Sequence, residues 1–320
     1  MAGKRVLSFA ETTPPPSFGA PTQGKPMNRT IAAMVSLATL SLAMPLAAQQ
    51  AAAEQAAWDS VGRVLQTAPA QADGYKRFNF PRRDITLKVK DVTVSPALAL
   101  GAWLGFAGSP TDTMVMGDLV LLGDELAPAL DELNKQGIGV TAIHNHVVGE
   151  PQVTYVHVHA MGNALALASK FNEVLARTHT PRPVAAAPAP PAVTIDTALV
   201  FSTLGLRGRA TGNVVQLSVV LVPGTVTMDG HTVVPALGYG TPINIQMIDP
   251  LRYVATGDFS VVGARTQPVI SALASHGITA TAMHSHLVGE SPRVYYIHFW
   301  ADGAPAAVLA GLRAALDAAR

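Results

Sequence analysis

The stretch Gly137-Ile-Gly-Val-Thr-Ala-Ile-His144-Asn-His146-Val-Val-Gly-Glu150 returns as Gly277-Ile-Thr-Ala-Thr-Ala-Met-His284-Ser-His286-Leu-Val-Gly-Glu290, at an offset of 140 residues. Upstream at the same offset, Gly117-Asp118 matches Gly257-Asp258, Gly123 matches Gly263 and Pro128 matches Pro268. Downstream the offset becomes 141, pairing Pro151 with Pro292, His157 with His298 and Gly162 with Gly303. The one-residue insertion falls between Glu290 and Pro292, where a turn is expected. Such a period far exceeds that of a solenoid, so the chain is a duplicated domain. Residues 55–180 form the first copy and 193–320 the second, with a Pro/Ala-rich linker at 181–192.

Each copy reads as α+β, a mixed sheet and helices with a His-bearing hairpin before the last helix. In the first copy Ile85–Val94 alternates like a strand, and Thr113–Leu122 is another. Asp124 is placed to cap a helix carrying Leu126, Leu130 and Leu133, which stops at Gly137. Ile138–Val147 and Gln152–Ala160 then pair as a hairpin, and Asn163–Arg177 reads as a helix. The second copy repeats this order through a final helix over Pro305–Ala319.

Alternation puts His144 and His146 on one face of their strand. Pairing His144 with His157 sets Tyr155 against His146 and brings His159 onto the same face. Ile143, Val147, Val156 and Val158 then share the opposite face, suited to packing against helices. The equivalent register gives His284, His286, Tyr296, His298 and Trp300 on one face, with Met283, Leu287, Ile297 and Phe299 on the other. A slip of one residue would put the return-strand histidine among the core residues.

Three imidazoles on a face with a carboxylate in the adjoining turn suit a divalent transition metal such as Zn, Mn or Fe. The expected ligands are His284, His286, Glu290 and His298, with His144, His146, Glu150 and His157 as their equivalents, one site per repeat. An open coordination position would polarise a substrate or activate water, so a metal-dependent hydrolase is the expected enzyme class. Glu290 is then a candidate base and Arg293 a candidate clamp for an anionic substrate. The competing class is a non-catalytic envelope protein that binds metal or a small ligand. The plainest reading is a sheet whose histidines face water. Gly117-Asp118 and Gly257-Asp258 could add a carboxylate near the site, but formation of a turn or bulge is favoured for them. Trp103 and Phe106 are assigned to the core, and His179, His231 and His276 to the surface.

His-x-His-x₃-Glu also occurs in cupins, but a cupin's last histidine lies further downstream and its repeats lack internal helices. The similarity is one of ligand spacing. An HNH nuclease is not indicated by His144-Asn145-His146, because that signature is dispersed. No nucleophile elbow, phosphate loop or dinucleotide fingerprint is present.

Composition narrows the classes further. The 320 residues are 49% apolar, too apolar for a disordered chain, and carry 22 Lys+Arg against 21 Asp+Glu. That balance is not a nucleic-acid footprint. The absence of cysteine excludes disulfides, thiolate nucleophiles and Cys-ligated metals. Behind Arg29, the apolar run Ile31–Leu46 ends in Ala47-Ala48, the layout of a secretory signal. Residues 27–48 are read as that signal, with Met27 as the true start. The competing reading is a membrane anchor, but a span needs about 20 apolar residues. Without residues 1–48 the chain has 18 basic and 20 acidic residues. A periplasmic or secreted protein is expected, with a small-molecule or envelope ligand, no nucleic-acid partner and no stable membrane span after cleavage.

On Gly117-Asp118, Gly137 to His146, Gly257-Asp258-Phe259, Gly277 to His286, Glu290-Ser-Pro-Arg293 and His298-Phe-Trp-Ala301, the chain resembles the LppY/LpqO family. The resemblance covers roughly residues 55–320. Those are exported bacterial proteins built from two copies of a domain of unknown function, often lipoproteins. It implies an envelope or extracellular location and brings no established reaction. This chain lacks the lipid-modified cysteine, and Ser285 stands where the first copy has Asn145.

Overall fold

The structure is a computed structural model that describes residues 46–183 and 191–320. The start at Met27, most of the signal segment and linker residues 184–190 lie outside the described residues.

The first repeat runs α1 (Leu46–Leu65), β1 (Ala70–Ala72), β2 (Tyr75–Pro81), β3 (Lys88–Val89), β4 (Val92–Thr93), α2 (Pro96–Ala99), β5 (Gly101–Gly108), β6 (Thr113–Leu122), α3 (Gly123–Gln136), β7 (Gly139–His144), β8 (Val153–Gly162) and α4 (Ala164–Leu175). The second runs α5 (Thr197–Leu204), β9 (Gly208–Thr211), β10 (Val214–Val219), β11 (Thr227–Met228), β12 (His231–Thr232), α6 (Pro235–Gly238), β13 (Thr241–Asp249), β14 (Arg252–Val262), α7 (Gly263–Ser275), β15 (Thr279–His284), β16 (Val294–Gly303) and α8 (Pro305–Ala318). Each forms a six-stranded antiparallel sheet, in the orders β1-β2-β5-β6-β8-β7 and β9-β10-β13-β14-β16-β15. The duplicated α+β architecture expected from the repeat is the one observed.

Three local expectations change. Ile85–Val94 is not one strand but a tight hairpin arm, β3–β4, which Lys90 turns with φ 54°. The cap of α3 is Leu122 rather than Asp124: the Leu122 N–H donates to Glu125 Oε2 at 2.6 Å, and Gly137 closes the helix at φ 67°. In the histidine hairpin, His144 opposes Tyr155 and Ala142 opposes His157, with a bulge between Val140 and Ala142. His146 lies beyond β7, in the turn. The difference of two residues keeps the paired strand residues on their expected faces, because strand parity has period two. Leu287, beyond the end of β15, instead joins Tyr296 in the apolar cluster between the repeats. Ile143 and Met283, expected to pack, are 50% and 53% exposed, at the ends of the edge strands β7 and β15.

One face of the first sheet packs on helices: Phe78, Leu104, Phe106, Leu119, Val156 and Val158 meet Trp58, Leu133 and Phe171. Phe106 is buried as expected, whereas Trp103 is only half-buried. β6 and β14 are buried along nearly their whole length on both faces. What covers the second face is the other repeat. Met114 and Met116 join Val226, Met228, Val233, Leu237 and Tyr296 in one apolar cluster, and Trp300 joins the core of the first repeat. The arms cross reciprocally. Arg252 pairs with Asp91 of the first arm at 2.5 Å, and the Gln246 amide accepts from Ser95 N–H and donates to Thr93 O, on either side of Val94. Both repeats accordingly belong to one compact unit. No helix among the described residues is long and apolar enough to cross a membrane.

Gly257 shows how closely the strands approach. A Cβ there would sit 2.0 Å from the Pro242 carbonyl oxygen, a backbone atom that cannot swing away. Overpacking of this kind typically costs 1–3 kcal/mol, occasionally more. Gly257→Ala is therefore expected to lower stability by about 3 kcal/mol in urea unfolding. Gly123→Ala, where a Cβ meets nothing within 4 Å, should be near neutral.

Candidate metal centre

Cross-strand registry builds the site in each sheet. Asn79, Trp103, Asp118, His157 and Ala142 form one row across β2, β5, β6, β8 and β7. Asp258, His298 and Ala282 form the equivalent row across β14, β16 and β15. The Gly-Asp pairs are thus not turns. They sit mid-strand and present buried carboxyls to the histidine face: Asp118 and Asp258 are 7% and 6% exposed. A sequence signal was available, since Asp118 interrupts the apolar run Thr113–Leu122 at the parity that faces His157.

The expectation of one histidine site in each repeat gives way to a single cluster. The two sheets meet at their histidine faces, and the imidazoles interleave across the junction. Ring centroids are 4.0 Å apart for His144 and His284, 3.9 Å for His146 and His298, and 3.8 Å for His157 and His286. The hairpins are tied together by Thr281, whose hydroxyl donates to His146 O at 2.5 Å, and by Asn145, whose amide donates to Thr281 O at 3.3 Å.

Among the described residues, two groups bring ligand atoms within 4.8 Å of one another: His144, His284, His286 and His298, and His146, Asp258 and His298. These groups could hold a metal ion. Glu150 and Glu290 belong to neither. Glu150 is exposed, and its backbone pairs with Lys88. Glu290 is buried and closes its own turn, accepting from Val294 N at 3.0 Å and lying 3.5 Å from Arg293 Nε. His157 lies in neither group; its Nε2 is 3.8 Å from Asp118 Oδ1, and both atoms are buried without a partner. His159 instead pairs with Asp229 of the second repeat at 3.2 Å. Of the histidines assigned to the surface, His231 and His276 are exposed, while His179 has an exposed ring whose backbone N–H donates to Glu125.

The partners of Nδ1 assign the tautomers. His144 and His284 each face a backbone carbonyl through Nδ1, at 3.2 and 3.3 Å, and a carbonyl only accepts. His298 Nδ1 donates to Asp258 Oδ1 at 2.7 Å. All three therefore turn an Nε2 lone pair inward. His298 Nε2 lies 2.8 Å from His284 Nε2 and 3.2 Å from His286 Nε2, and His144 Nε2 is buried with no partner. With both rings neutral no proton lies between His284 and His298, and the contact is then repulsive without a cation. Nitrogens bound to an ion at about 2.0–2.1 Å stand roughly 2.9–3.4 Å apart in octahedral or tetrahedral sets, close to these spacings. The His298–Asp258 pair is the carboxylate–histidine arrangement that orients a metal-binding imidazole.

Burial favours the neutral form of most of these imidazoles. It is the leading cause that lowers the pKa of His144, His146, His157 and His286, and neighbouring imidazoles lower them further. His284, less enclosed, is lowered to about 4. Burial raises Asp118 well above the carboxylate range, assisted by Asp258. Neutral imidazole is the form that ligates metal.

Searches of curated proteins and of solved structures gave no match. A family model described as a Domain of Unknown Function (DUF1259) matches residues 59–177 and again 198–318, one match per repeat. These matches cover well over half of the chain, which therefore belongs to this family and carries its domain twice.

Proposed function

We propose that this is an exported protein, akin to the LppY/LpqO proteins, that holds a divalent transition metal between its two repeats and hydrolyses a small molecule there. The observation that carries the metal is the convergence of Nε2 atoms whose Nδ1 partners leave them only lone pairs to offer. His144, His284, His286 and His298 would hold the ion, and Asp258 would orient His298. Such an ion would supply Lewis-acid polarisation of a substrate oxygen and a water acidic enough to react at neutral pH. Of these ligands His286 lines a cavity of about 930 Å³ shared by both repeats, together with His146, His157 and Asp118. The cavity leaves room for a second molecule, which storage of metal alone does not require. Asp118, whose Oδ1 is buried without a partner 3.8 Å from His157 Nε2, is placed to hold or accept a proton. Glu290, with Arg293 alongside, supports the hairpin turn that carries His284 and His286. Export rests on the apolar run Ile31–Leu46.

Elemental analysis of protein purified without a histidine tag tests the centre. About one equivalent of Zn, Mn or Fe is expected, and His284→Ala/His286→Ala should lose it. No metal after incubation with each ion would remove the proposal. If the loaded protein cleaves none of a panel of esters, phosphoesters and amides, the non-catalytic binder is the correct class.

A further inference from the structure

We infer that the cavity between the repeats takes a small organic anion, held at the rim by the guanidinium groups of Arg77, Arg83 and Arg209 with its other end against the imidazoles. The inference deepens the proposed function: the rim stands on its own observations, and only the chemistry at the inner end rests on the metal reading. At about 930 Å³ the space suits a ligand of ordinary small-molecule size.

Charge within the cavity is segregated. Its cationic side chains other than histidine are Arg77, Arg83 and Arg209, and its only acids are Asp118 and Asp258, which sit on the floor opposite His157 and His298. None of the three arginines forms an ion pair among the described residues, whereas Arg82, Arg177, Arg252, Arg293, Arg313 and Arg320 each meet a carboxylate. Arg77 is also held in place. Its guanidinium lies 4.1 Å above the Trp103 ring, and its Nε donates to Asn79 Oδ1 at 2.8 Å. Its Nη1 donates to the Tyr75 hydroxyl at 3.3 Å, and a guanidinium stacked and held in this way, with Nη2 left over, is pre-organised to capture a carboxylate or phosphate.

Duplication shows that this rim is not inherited scaffolding. The cross-strand pair Ala70–Arg77 in the first repeat corresponds to Arg209–Gln216 in the second. Each copy thus presents one guanidinium at this pair, from opposite strands. Gln216 is used otherwise, donating to Ala97 O to tie the repeats together, and Pro242 occupies the row position of Trp103. Arg77, Gly105, Met116 and His159 lie in one cross-strand row. Three strand spacings separate its ends, so rim and imidazoles are roughly 14 Å apart at the backbone. A ligand with its anionic group near one end spans that gap once the side chains reach inward.

Calorimetric titration of the metal-loaded full chain with inorganic phosphate, benzoate and benzyl alcohol tests the inference, with metal content measured on every sample. Phosphate or benzoate should bind and benzyl alcohol should not; the tighter of the two anions names the group recognised. Arg77→Gln should weaken that anion about 10-fold, and Arg77→Gln/Arg209→Gln about 100-fold, both with full metal content. If loaded protein binds neither anion, or the double variant binds as the parent does, the inference is overturned while the metal centre stands. If the chain takes up no metal yet binds an anion through these arginines, the metal reading fails and the inference stands.

Discussion

His298→Ala is expected to abolish metal retention, weakening affinity by at least about 100-fold in competition against a chelator. His298 is the one residue common to both groups of ligand atoms, and it lies fully buried between them. Its Nε2 faces His284 and His286 while its Nδ1 is engaged by Asp258. Removing it takes away a donor and leaves Asp258 with only the more distant His146 Nδ1, at 3.5 Å. Asp258→Asn keeps every imidazole but loses the carboxylate that fixes the His298 tautomer, so a loss of about 10–100-fold is expected. His157→Ala, the equivalent change in the first repeat, should cost under about 10-fold, because His157 acts from outside the ligand groups. Thermal unfolding of each metal-free variant separates these effects from misfolding. Retention of metal by folded His298→Ala would falsify the arrangement proposed.

Acid should destabilise the metal-free protein well before its carboxylates are protonated. The ordinary imidazole pKa is 6.5, and folding lowers His144, His146, His157, His159, His284 and His286, with His284 near 4. Between those values the unfolded chain binds protons that the folded chain refuses. Stability therefore rises with pH across this window and is lost as pH falls through 6.5 toward 4. Asp118 acts in the opposite sense, since its raised pKa lets the folded chain keep a proton that the unfolded chain releases above 3.8. Six imidazoles outweigh one carboxyl. The melting temperature of chelator-treated protein should fall steadily from pH 7 to pH 4.5, and metal affinity should fall over the same range because protons compete for the same nitrogens. A melting temperature that is flat or rising toward pH 4.5 would show that the imidazoles are not buried neutral.

Much of the site's composition is legible in the chain. The 140-residue offset exposes the duplication, and strand parity assigns His144, His157, His284 and His298 to a common face in their own sheets. That assignment survives the two-residue difference in register because parity is indifferent to an even shift. The helices end where Gly137 and Asn163 predict, since capping is a matter of one turn of backbone.

Local rules stop at the sheet. Nothing in either copy states that its histidine face is covered by the other, although the near-continuous apolar run Thr113–Leu122, broken only by Gly117-Asp118, suits a strand buried on both faces. Only the packed structure merges two expected sites into one, draws in Asp118 and Asp258, and leaves Glu150 and Glu290 in their turns. The physical reason is range. Periodicity fixes which way a side chain points, through torsions of a few neighbouring residues. Which side chains meet across an interface depends on how two large apolar surfaces, joined by a linker, bury each other best.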